Sequence, residues 1–200
     1  MSYKKTTLIF VLSVLLLSLS VFPEETALSI EIPTNRQVGE MINIITSDPV
    51  KKLYYEDIML DKHHYLEYFE TVFKEFGLPT ELVYISVIES GLNPRARSSK
   101  DAFGLWQFMY PTAEELGLRI NFWLDERSDY KESTYAAAYY LKRLYYTFKS
   151  WEFAIAGYNL GFGKLRKAIN SNEKAERVLE LDIPSETKNF VIQFYAVYHI

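Results

Sequence analysis

The chain has no cysteine among its 200 residues. It therefore cannot carry a disulfide, a thiolate metal site or the cysteine of a lipoprotein anchor. Histidine is scarce, at three residues. Two of these are the adjacent His63 and His64, which on a helix point about 100° apart and do not share a metal easily. No His-x-x-x-His spacing occurs, so no metal and no cofactor are expected. A surplus of basic residues is also missing. The formal net charge is −4, which argues against a nucleic-acid partner, since that would want a basic stripe. The single Gly161-Phe162-Gly163 is explained by turn chemistry rather than phosphate binding. Strand signals are scarce, so the expected fold is mainly α with little or no sheet.

What is present begins with Lys4 and Lys5 ahead of an apolar run, Leu8 to Val21. These are the basic and apolar regions of a secretory signal. The run is short of the roughly 20 residues of a comfortable membrane span. Residues 1–22 are expected to act as a cleaved leader or an uncleaved N-terminal anchor, sending the chain to the cell envelope. Pro23 to Val50 is polar and punctuated by proline, with one short element around Ile42, Ile44 and Ile45; residues 23–55 read as a loose tether. Residues 56–200 read as one folded domain, in which aromatic residues at 16% of the chain fill the core or bind sugars.

Within that domain Tyr65, Phe69, Val72, Phe73 and Phe76 recur at helical spacing, predicting a helix over 62–76 that stops at Gly77. A short helix is expected over 113–116. Asp125-Glu126-Arg127 reads as a charged connector, and Ser133-Thr134 as the cap of a helix whose Ala137, Leu141, Leu144 and Phe148 share a face. Residues 151–160 are apolar nearly all round, which predicts a central helix. Further helices are expected at 164–169 and after Pro184-Ser185, the last burying Phe190, Phe194 and Val197.

The most informative stretch runs from Leu78 to Gln107. Pro79 suits a first helical turn. Leu82, Ile85, Ser86 and Glu89 then follow at i, i+3, i+4 and i+7, placing a carboxylate at the end of an apolar face. Gly91 and Asn93-Pro94 close the helix directly behind it. Apolar neighbours and the negative helix end both disfavour ionisation of Glu89, as a general acid near neutral pH requires.

Glu89-Ser90-Gly91-Leu92-Asn93-Pro94 is followed by Ser98, by Gly104-Leu105-Trp106-Gln107, and later by Ala156-Gly157-Tyr158-Asn159 with Gly161 and Gly163. This ordered set resembles the SLT family of lytic transglycosylases, in particular its membrane-bound type D branch, over residues 60 to 195. The resemblance implies a goose-type lysozyme-like helical domain with a deep groove over residues 56–200. It also implies cleavage of the bond between N-acetylmuramic acid and N-acetylglucosamine in peptidoglycan. Glycosidases often use two carboxylates, but among Asp101, Glu114, Glu115, Asp125, Glu126 and Asp129 none stands in a family motif as a nucleophile. The implied mechanism has Glu89 as acid and then base, closing a 1,6-anhydro ring. By position, Ser98 is the family's loop hydrogen-bond donor, Gln107 its motif glutamine, Tyr158 the tyrosine beside the acid and Asn159 its neighbour. Ser90 is expected to shape the helix end. Trp106 is expected to offer a sugar a stacking face, with core packing as the alternative. Phe190 departs from the late motif Glu-Thr-x-x-Tyr, so a hydroxyl is missing there. A hydrolytic muramidase, or a silent wall-binding module on the same scaffold, is the competing expectation. Glycan strands of peptidoglycan are the expected partner, with membrane association through the N-terminal segment.

Overall fold

The computed structural model describes residue 30 and residues 36–200, so the expected leader lies outside the described residues. The helices are α1 (Arg36–Ser47), α2 (Pro49–Asp61), α3 (His63–Glu75), α4 (Tyr84–Ser90), α5 (Tyr110–Glu115), α6 (Tyr130–Phe148), α7 (Trp151–Leu160), α8 (Phe162–Ser171) and α9 (Ser185–Tyr198). Single 3-10 turns lie at Thr80–Val83, Glu126–Ser128 and Val178–Glu180. No strand occurs among the described residues; extended pairing is confined to the isolated bridges Arg97 with Phe103, Phe103 with Phe108, and Ile120 with Asp125.

The loose tether expected up to residue 55 is corrected over its second half. Residues 36–47 and 49–61 are helical, and α1 packs against α9. The physical reason is a stripe at i, i+3, i+4 and i+7 that a search for isolated isoleucines overlooks. Val38 and Ile45 are buried, and Met41 and Ile42 lie partly buried against the same core. Asp48 starts α2 by accepting the Val50 and Lys51 amides, with Pro49 in the first turn. The helix is then tied to α9 where Gln193 donates to the Tyr55 hydroxyl at 2.8 Å.

α6 and α7 form the centre. Ala137, Leu141 and Leu144 are fully buried on one face of α6, and Phe153, Ala154, Ile155 and Ala156 are buried on α7. The two helices approach closely at Gly157, where an added Cβ would stand 3.1 Å from Leu144 Cδ2 and 3.2 Å from Leu165 Cδ2. α6 begins earlier than its expected cap. Asp129 accepts the Lys131 and Glu132 amides. The Ser133 and Thr134 hydroxyls instead donate one turn back, to the carbonyls of Asp129 and Tyr130, and are buried.

The charged connector is largely buried. Glu126 and Arg127 are 4% and 3% exposed. Arg127 pairs with Asp125 at 2.7 Å and donates to the carbonyls of Asp101 and Phe108 at 3.1 Å each. Its guanidinium also lies 5.3 Å from the centre of the Phe103 ring. A buried charge persists when every donor has a partner, and here the partners are a carboxylate and two loop carbonyls. The 97–108 loop is thereby fixed to the helical body.

Candidate active site

α4 places Glu89. The helix expected from Pro79 divides into the 3-10 turn Thr80–Val83 and α4, but the face is as read. Leu82, Ile85 and Ser86 are all fully buried. Gly91 takes the left-handed conformation, φ 58°, and ends the helix. Lys62 donates to the Gly91 carbonyl at 2.8 Å, fixing that end to the start of α3. Ser90 fixes its other side, donating to the carbonyls of Ser86 and Leu105. Glu89 thus sits on a backbone held from both flanks.

The Glu89 carboxyl lines a cleft of about 380 Å³ together with Ser98, Gln107, Tyr158, Asn159 and Glu186. Burial, and secondarily the negative charge of Glu186, push its pKa from 4.5 up to about 8. Burial dominates, and the seven-residue helix α4 is too short for its dipole to be a large contributor. Glu89 is therefore largely a neutral acid at pH 7, able to donate a proton.

The surrounding polar groups are committed in ways that define what each still offers. The Ser98 hydroxyl oxygen accepts the Lys100 and Ala102 amides at 3.2 and 3.0 Å, which leaves its proton as the group to donate. Gln107, at φ 49°, spends its amide nitrogen on the carbonyls of Ala96 and Gly104 at 3.0 and 2.7 Å; its oxygen remains as an acceptor. Asn159 accepts the Thr187 hydroxyl at 2.8 Å, which leaves its amide protons. The Tyr158 hydroxyl donates to the Trp106 carbonyl at 2.6 Å. Burial and the nearby Glu89 hold that phenol well above its usual pKa, so it stays neutral and its oxygen can accept.

One expected site residue is corrected. Trp106 is fully buried, stacks on Phe73 with ring centres 5.6 Å apart and donates to Thr134 at 3.0 Å. Its side chain belongs to the core, and only its backbone carbonyl reaches the site, through Tyr158. The indole turns inward because α3 and α6 supply both an aromatic wall and a hydroxyl acceptor. Phe190 is likewise buried, at 7% exposure, and is not part of the cleft lining, so the absent hydroxyl is a core feature.

Glu186 opens the late Glu-Thr-x-x-Tyr-like motif but carried no expected site role, and the structure adds it to the cleft. It lines the cleft at the start of α9 and pairs with Lys100 at 3.5 Å across to the 97–108 loop. Its place two residues after Pro184, in a helix's first turn, was the available signal. Among the described residues no cluster of His, Asp and Glu is arranged to hold a metal ion.

The Transglycosylase SLT domain family matches residues 69–180, which include Glu89 and all the expected site residues. The membrane-bound lytic murein transglycosylase D of Escherichia coli (strain K12) is 33% identical over 150 residues, covering 73% of this chain and 33% of that protein. A putative tributyltin chloride resistance protein of Alteromonas sp. (strain M-1) is 39% identical over 108 residues, 54% of this chain and 52% of its own length. A membrane-bound lytic murein transglycosylase F of Desulfosudis oleivorans is 34% identical over 87 residues, 40% of this chain and 18% of its own. The chain thus spans a minor part of the length of the type D relative. A helical body and a family match that runs from α3 to the last described 3-10 turn, over more than half of the chain, place this chain in the transglycosylase SLT domain family.

Proposed function

We propose that the protein is a peptidoglycan lytic transglycosylase, acting in the cell envelope on glycan strands. The observation that carries this reading is Glu89, a carboxylic acid held up to about pKa 8 in a cleft it shares with the neutral donors and acceptors Ser98, Gln107, Tyr158 and Asn159 and with the paired Lys100 and Glu186. Among the described residues none donates a hydrogen bond to its carboxyl, which leaves it for a ligand. In the proposed reaction Glu89 gives its proton to the glycosidic oxygen between N-acetylmuramic acid and N-acetylglucosamine. The substrate's own 2-acetamido group stabilises the cationic carbon. The Glu89 carboxylate then takes the proton of the muramic C6 hydroxyl, whose oxygen closes the 1,6-anhydro ring. No water enters, and Glu89 ends protonated as it began. Ser98 donates to the acetamido group. Gln107, Tyr158 and Asn159 orient the sugars through the amide oxygen, the phenolic oxygen as an acceptor and the amide protons that their internal bonds leave available.

The presence of Glu186 keeps a hydrolytic muramidase as the second reading, because a second carboxylate beside an acid is the hydrolase arrangement. Glu186 is mostly exposed and already paired with Lys100, which makes it a poor nucleophile. The proposed organisation is an exported chain with its leader or anchor in residues 1–22. The helices α1 and α2 join the catalytic domain, because α1 packs on α9. Association with the membrane would come through the N-terminal segment.

The test is mass spectrometry of digested cell wall, with wild type and Glu89→Gln compared. The expected products are 1,6-anhydro ends from the wild type and none from the variant. Reducing ends would identify a muramidase, and no release by a folded wild type would identify a binding module.

A further inference from the structure

Arg119 to Glu126 forms a small finger outside the cleft. Ile120 bridges to Asp125. The Asn121 amide donates to the Leu124 carbonyl at 2.7 Å, and the Asn121 side-chain oxygen accepts the Trp123 and Leu124 amides at 2.9 and 3.1 Å. At the base the buried Glu126 carboxylate accepts the Arg119 amide and Nε at 2.6 Å each. The tip of this well-tied finger carries Phe122 and Trp123, which are 88% and 89% exposed. Their rings meet edge to face, with centres 4.8 Å apart. The chain's other two tryptophans, Trp106 and Trp151, are 0% and 7% exposed. Two adjacent large aromatics left in water on a fixed backbone are unusual, and they mark a surface that meets something.

The finger shares its root with the cleft. Arg127, next in sequence after Glu126, donates to the carbonyl of Phe108, a residue of the cleft lining. Trp123 lies four positions before Arg127, so their backbones lie within about 14 Å of each other. A polymer threaded through the cleft is long enough to reach the tip.

We propose that Phe122 and Trp123 form an accessory glycan-binding site, taking the apolar C–H face of a pyranose outside the cleft. The inference rests on the reading of the cleft as a glycan site. Stacking a neutral sugar ring on indole needs area and a fixed orientation, both of which the finger provides. It needs no cations, and the finger has none to spare. Arg119 is paired with Glu126 and Arg127 with Asp125, so nothing at the tip answers an anionic lipid headgroup.

The test uses the full chain in a Glu89→Gln background, so that binding is read without digestion. The probe is peptidoglycan sacculi stripped of their peptides, scored by co-sedimentation. Trp123→Ala is expected to weaken binding by about tenfold, the upper size of an aromatic contact, and Trp123→Phe to recover much of it. Sugar binding should also shift the Trp123 fluorescence, since the other two indoles are shielded. Melting temperature should be unchanged by either substitution, because the tip side chains support nothing else. Equal sedimentation of Trp123→Ala and its parent would overturn the proposal. So would Trp123-dependent sedimentation with vesicles of phosphatidylethanolamine and phosphatidylglycerol, which would mark a membrane contact instead. The cleft is judged separately: a wild type that releases no sugar from whole wall sinks the transglycosylase reading, whatever the sedimentation shows.

Discussion

Replacing Glu89 by Gln is expected to stabilise the fold while it abolishes turnover, and the gain should depend on pH in a defined way. The folded pKa of about 8 lies above the ordinary 4.5. The folded state therefore holds its proton more tightly than the unfolded chain, and ionising Glu89 works against folding. Below about pH 4.5 both states are protonated and the residue costs nothing by this route. As the pH rises from there the unfolded chain ionises first and stability falls, until the folded state also ionises near pH 8 and the loss levels off. At about 1.36 kcal/mol for each pH step, the full loss is about 5 kcal/mol, of which about 3 kcal/mol has accrued at pH 7. Gln keeps the shape and carries no charge, so it removes this cost. Against it stands the amide's own need for partners, so about 3 kcal/mol is an upper bound; for a chain of this size it corresponds to roughly 6–12 °C in melting temperature. The assay is thermal unfolding of both proteins at a series of pH values from 5 to 8, with wall digestion measured on the same samples. The advantage of the variant should grow steadily with pH, and the wild-type rate should fall as pH climbs through about 8, where the acid is lost. A melting difference that stays flat across that range would show that Glu89 is not a buried neutral acid. Retention of more than about a tenth of the rate by Glu89→Gln would remove it from the acid role, since such catalysis contributes at least about a hundredfold.

Two further substitutions test the frame around the cleft. Trp106→Ala is expected to cost about 3–5 kcal/mol in urea unfolding, as for other large buried aromatics; a loss below about 1 kcal/mol would contradict its place between Phe73 and Thr134. Gly104 has φ 85°, and an added Cβ would fall 1.8 Å from the Arg127 carbonyl. Gly104→Ala is therefore expected to force the 97–108 loop off Arg127 and to destabilise by a few kcal/mol; an unchanged unfolding midpoint would refute that contact.

The central architecture was legible because it rests on periodicity. The α6 stripe and the apolar α7 announce burial directly, and the face from Leu82 to Glu89 survives even though its helix breaks in two. The misreadings share a cause: a local pattern was overruled by a distant partner. Asp125-Glu126-Arg127 reads only as a charged connector, and its burial rests on loop carbonyls from residues 101 and 108 that satisfy the guanidinium. Ser133 and Thr134 look like caps until Asp129 takes that role and Thr134 becomes the acceptor for an indole 28 residues earlier. Trp106 carries the same motif whether it faces sugar or core, and only the position of α3 decides. Burial of Glu89 was predicted from its neighbours, whereas the charge of Glu186 comes from a helix that begins nearly a hundred positions later and leaves no trace near residue 89.

The last described helix, α9, joins several parts of the fold. It packs on α1, α4 and α7, supplies Glu186 to the cleft and, through Thr187, holds Asn159. Its partners therefore include the first described helix as well as the wall of the site. A chain emerging from the ribosome can form α6 and α7 from neighbouring sequence, but α1 cannot dock on α9 until residues 185–198 have been made. Pairing across such a separation is slow, because a long loop closes before any contact rewards it. α1 would therefore stay undocked from α9 until residues 185–198 have emerged. The cleft would gain Glu186, and Asn159 its Thr187 partner, only when α9 docks.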